Sequence, residues 1–114
     1  MPSNELHGPH PLTKKGIDDN VKGVGLGAYA LGHVDQSNAF NVTRVGRSDD
    51  DLNKRLHDYE GLYESFKYAF LPNSKAAFEK ECRLYHDFIP PDNIIHPAKP
   101  VGTDYKCPVA GCEN

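Results

Sequence analysis

The sequence predicts a small α+β domain: a three-stranded antiparallel sheet flanked by helices, in the order β-β-α-β-α. Three observations lead to it. Two adjacent stretches, VGLGAYALGHV and AFNVTRVG, carry apolar and β-branched residues between turn signals. Two later stretches open on the helix-start residues Ser48 and Ser74 and continue with apolar residues at helical spacing. Between these helices, YESFKYAFL alternates as a strand does.

Taken in order, residues 1–22 are rich in Pro, Gly, Asn, His and charge and lack an apolar period, so they are expected to form a flexible N-terminal arm. His7 and His10 in HGPHP read as tail residues rather than metal ligands. The domain is expected over 23–96. Its first strand runs from Val24 to Val34, with glycines that mark close approach of another backbone or a ligand. DQSN makes a hairpin turn, and the second strand carries Val42, Thr43 and Val45. Ser48 with Asp51 forms a capping-box pattern, and Asp49, Asp50 and Asp51 favour the positive end of a helix. Capping therefore accounts for the acidic triplet without a metal. This helix is expected to reach about Tyr59, with Gly61 as its stop. The third strand places Phe66, Tyr68 and Phe70 on one face, and Pro72 and Asn73 end it. Ser74 opens a longer helix, KAAFEKECRLYHDF, and residues 97–114 form a C-terminal tail.

At 114 residues the chain supports one domain with one modest core. No run approaches the roughly 18 to 20 apolar residues of a membrane span, and MPSNELHGPHPLTKK has no apolar signal region. A cytoplasmic protein without membrane partners is expected. The net charge is -3, from 13 Lys and Arg against 16 Asp and Glu. That sign excludes a generic basic coat for nucleic acid, so any such role rests on a local site. The cysteines are Cys82, Cys107 and Cys112, an odd count that points to reduced thiols. Cys82 falls in the helical pattern as a small core residue. Cys107 and Cys112, in KCPVAGC, are spaced C-x4-C with no second pair, which favours plain thiols over zinc.

Two charges do not fit their helices. At about 100° per residue, Phe78, Cys82 and Tyr85 centre an apolar stripe that Ala77, Leu84 and Phe88 extend. Glu79, Lys80, Arg83, His86 and Asp87 collect opposite, but Glu81 falls inside the apolar arc. A carboxylate there must be paired, coordinated or protonated. On the first helix Leu52, Leu56 and Tyr59 form the stripe and Arg55 flanks it, while Lys54 and His57 point away. Either Arg55 and Glu81 form a structural pair, or they line a cleft where Glu81 holds a divalent cation and Arg55 contacts a phosphate.

These residues resemble the GIY-YIG nuclease domain. Gly27-Ala28-Tyr29 stands as the first motif and Arg44-Val45-Gly46 as the second. Arg47 matches the basic residue that follows, Arg55 the helix arginine, Tyr59 a His or Tyr one turn on, Glu81 the glutamate of the second helix, and Asn93 the asparagine after it. The resemblance covers about residues 24–95. It implies a metal-dependent endonuclease acting on DNA phosphodiester bonds, with Mg2+ or Mn2+ at Glu81. Tyr29, Arg55, Tyr59 and Glu81 would be catalytic, and Arg44, Arg47 and Asn93 would bind substrate. Besides DNA, the partners it leaves open are a second copy or another protein. The family's motif tyrosine is here Arg44, which cannot be deprotonated and so cannot relay a proton from water. The alternative is a non-catalytic module of this fold that binds DNA or a protein partner through the same cleft.

Overall fold

Residues 27–48 form the predicted strand pair, β2 (Gly27–Val34) and β3 (Phe40–Ser48), which run antiparallel. Their turn is closed by Asp35, whose carboxylate accepts from Ser37 N, Ala39 N, the Ser37 hydroxyl and the Asn41 amide. A computed structural model describes residues 6–93, 96–109, 111 and 112 of the chain. Within it the third predicted strand is β4 (Ser65–Phe70), which pairs antiparallel with the other edge of β2.

The sheet has four strands, not three. β1 (His7–Pro11) pairs antiparallel with β4, giving the order β1-β4-β2-β3. It is followed by helix α1 (Lys14–Asn20), so the expected arm is instead part of the domain; its first five residues lie outside the described ones. The physical reason is that Leu12, Ile17 and Val21 are all buried in the main core. Three anchors divided between a strand end and one short helix leave no period to read. Thr13 caps α1, its hydroxyl accepting from Gly16 N at 3.0 Å. Gly16 is required there, because a Cβ would stand 2.1 Å from the Pro11 carbonyl oxygen.

Helices cover both faces. α2 (Leu52–His57) joins α1 on one face, where Ile17, Val21, Leu52 and Leu56 pack on Tyr29, Leu31 and Phe66. α3 (Ser74–Phe88) lies on the other, with Leu84 against Ala28, Ala30, Val45 and Ala69. Small alanines let the helix approach this face, whereas large side chains fill the opposite one. Capping differs in detail from the sequence expectation. Asp51 caps α2 by accepting from Lys54 N, and Ser48 Oγ accepts from Asp51 N at 3.0 Å, one step earlier. Asn73, not Ser74, caps α3, accepting from Ala76 N at 2.8 Å. Phe88, expected in the stripe, is exposed, because the helix ends there and Ile89 turns away with φ 45°. The C-terminal tail packs on α3 through Cys107, which meets Phe78 and Cys82.

Candidate functional site

β3 is an edge strand, and α2 and α3 approach it from opposite faces of the sheet. Between them opens a cleft of about 560 Å3, lined among others by Tyr29, Arg44, Arg47, Arg55, Tyr59, Glu81 and Asn93. All seven residues singled out in the sequence therefore meet in one place, although they come from β2, β3, α2, the turn after it, α3 and the segment beyond.

Tyr29 is 3% exposed and packs its ring on Tyr59, with centroids 5.8 Å apart. Opposite it in the sheet is Gly46, where a Cβ would fall 2.3 Å from the Tyr29 hydroxyl oxygen. The glycine of the RVG motif is thus the space the tyrosine occupies. Burial, then the hydrogen bond with Tyr59 and the nearby Glu81 charge, push the Tyr29 phenol well above its ordinary pKa. It is therefore held as a phenol.

Glu81 is buried, as its place on the wheel required, and its partner is neither Arg55 nor Arg44. Arg47 Nη1 donates to Glu81 Oε1 at 2.7 Å, while Arg47 Nε donates to Asp49 at 2.9 Å. The expected Arg55–Glu81 pair is replaced by an Asp49–Arg47–Glu81 triad. The register explains it: Arg47 faces Ala28 on the α3 side of the sheet, whereas α2 lies on the other. Burial pushes the Glu81 carboxyl above its usual range, and the Arg47 guanidinium pulls it back.

Arg44 sits beside Tyr59 and Tyr63. Its Nε donates to the Tyr63 hydroxyl at 3.2 Å, its Nη2 to the Asp92 carbonyl at 3.4 Å, and its guanidinium lies 5.7 Å from the Tyr59 ring centre. Arg55 is the loosest of the three arginines. Its side chain is 49% exposed and its described ionic partner, Asp58, is 4.0 Å away. Asn93 spends its amide on the backbone of Val45, accepting from N at 2.7 Å and donating to O at 3.0 Å. It shapes the wall of the cleft.

Two features escaped the sequence. His57, read as a surface residue, contacts Glu60 and joins α2 to α1 through Asp18 at 2.9 Å. Its partner belongs to a helix that was not foreseen. The C-terminal cysteines also have company. His86, His96, Cys107 and Cys112 bring one donor atom each to within 4.8 Å of one another. His86 lies on the polar side of its wheel and His96 in a proline-rich loop, so spacing alone could not associate them.

Among the described residues, no helix is long and apolar enough to cross a membrane. Compared with protein-family models, with curated proteins and with solved structures, the chain matches none.

Proposed function

We propose that the cleft binds a nucleic-acid phosphodiester and hydrolyses it in the manner of a GIY-YIG nuclease. One observation carries this reading. Tyr29, Tyr59, Arg55 and Glu81, chosen from sequence as one constellation, line a single cleft with Arg44 beside them. Arg55, half exposed and weakly paired, takes the phosphate, and Arg44 supports it from the far side of Tyr59. Positioned guanidinium groups in a partly dried site stabilise the charge that develops on a phosphoryl oxygen. Tyr29, held as a phenol, donates a hydrogen bond; Tyr59 is the hydroxyl that relays a proton in place of the missing motif tyrosine.

A divalent cation fits Glu81 on its donor chemistry. Oε1 accepts from Arg47, no described residue bonds Oε2, and the cleft has room for an ion that keeps most of its water. When bound, such an ion would supply Lewis-acid stabilisation of the scissile phosphate. Arg47 opposes the effect of burial on the Glu81 carboxyl, and Asp49 orients Arg47.

The Arg47–Glu81 bond also favours a second reading, in which the cleft binds a phosphodiester or an acidic partner without cutting it. One experiment separates the two. Purified protein is incubated with supercoiled plasmid in Mg2+ or Mn2+, in parallel with Glu81→Gln and Arg55→Ala. Hydrolysis predicts metal-dependent nicking that falls about 100-fold or more in each variant. Nicking no faster than in Glu81→Gln sinks the hydrolytic reading, and Arg55-dependent binding of a labelled oligonucleotide would then leave the second one standing.

A further inference from the structure

We propose that His86, His96, Cys107 and Cys112 form a closed, four-ligand zinc site that pins the C-terminal tail to α3. Zinc is bound tetrahedrally by histidine nitrogen and cysteine sulfur, and two of each with no open position is the composition of a structural site. The four donor atoms already lie within 4.8 Å of one another, so small side-chain rotations bring them onto one ion.

Two local details point to a metal rather than to a chance cluster. His86 Nε2 is buried and has no hydrogen-bond partner among the described residues, which is rare for a ring nitrogen and is resolved by an ion at that position. His96 Nδ1 lies 2.9 Å from the Pro97 carbonyl, a contact that requires Nδ1 to carry the proton. That fixes the tautomer in which Nε2 carries the lone pair, and this nitrogen faces Cys112 Sγ at 3.4 Å. None of the three cysteines is in a disulfide.

The site is separate from the cleft but acts on its wall. Between His86 on α3 and the two cysteines of the tail runs the segment carrying Asn93, clamped to Val45, and Ala98, on the cleft rim. Phe78 and Cys82 pack with the ligand Cys107 in a small apolar cluster. A chain with this little core in its tail gains order there from a metal.

The test uses the full chain, purified under reducing conditions and freed of loose metal by gel filtration. Elemental analysis is expected to give about one zinc per chain. After chelation, titration with Co2+ is expected to produce the visible d–d bands of a tetrahedral ion and a thiolate-to-cobalt charge-transfer band. His86→Gln and Cys107→Ser should each lose zinc, while Cys82→Ser, buried beside Cys107 but outside the set, should keep it. Zinc-free protein that also gives no charge-transfer band with Co2+ overturns the proposal. So does undiminished zinc in both ligand variants, or a Cys107–Cys112 disulfide seen by mass in freshly purified protein. The Co2+ titration is made on the unmutated chain, so misfolded variants do not blunt it.

Discussion

Arg47 holds the balance of the cleft at the level of single side chains. Its guanidinium is the described counter-charge of Glu81, whose side chain is 10% exposed. Removing one member of a buried pair leaves the other uncompensated. Arg47→Met is therefore expected to destabilise the fold by about 2–4 kcal/mol at neutral pH, measured by urea denaturation. The sign of its pH dependence follows from Glu81. A carboxyl whose folded pKa is raised binds its proton more tightly folded than unfolded, so stability is lost as pH rises from the unfolded pKa through the folded one. Without Arg47 the folded pKa rises further, so the penalty should shrink on acidification and be largely relieved by a second change, Glu81→Gln. A penalty that stays constant with pH would show that Arg47 matters by packing on Phe78, 5.4 Å from its ring centre, rather than by charge. For the cation proposed at Glu81, the acid limb of binding should lie above the ordinary glutamate range and move to higher pH in Arg47→Met.

Among the elements, the contact between α1 and α2 depends on pH. His57 donates through its ring nitrogens to the Glu60 and Asp18 carboxylates, which raise its pKa above 6.5 against a smaller opposing effect of burial. Asp18 is in turn lowered to about 2 by the bonds from His57 and Asn53. A raised histidine stabilises fully below its unfolded pKa and loses that contribution as pH rises through the folded value. The melting temperature should thus fall as pH rises above about 6.5, and His57→Gln should flatten that slope. Identical slopes in the two proteins would rule the clamp out. Here the limits of sequence reading are physical. Glu81 was legible because a charge inside an apolar arc breaks a period of several turns. Arg47 was seen as a cation but not as the partner of Glu81, since pairing depended on which sheet face each helix covers. α1 was illegible because KKGIDDN buries only Gly16 and Ile17, and its remaining hold on the core, Leu12 and Val21, lies outside the helix. The four-donor cluster was illegible because tertiary contact, not spacing, assembles it.

Across the whole molecule, the sheet has two ends, and the chain treats them differently. Along β3 the segment after α3 acts in place of a fifth strand. Asp92 N donates to the Thr43 carbonyl at 2.9 Å, and the Asn93 amide makes both bonds to Val45. Unpaired edges recruit other chains, so a covered one resists association. Asn93→Leu should cost about 1–2 kcal/mol from the lost bonds and should bring on concentration-dependent dimers or larger species in sedimentation runs. A variant that is destabilised yet strictly monomeric would show that the clamp serves only the cleft wall. A side-chain amide 48 residues downstream of its strand thus does for this protein what a crystal's capping layer does for a growing face: it stops growth by completing the pattern.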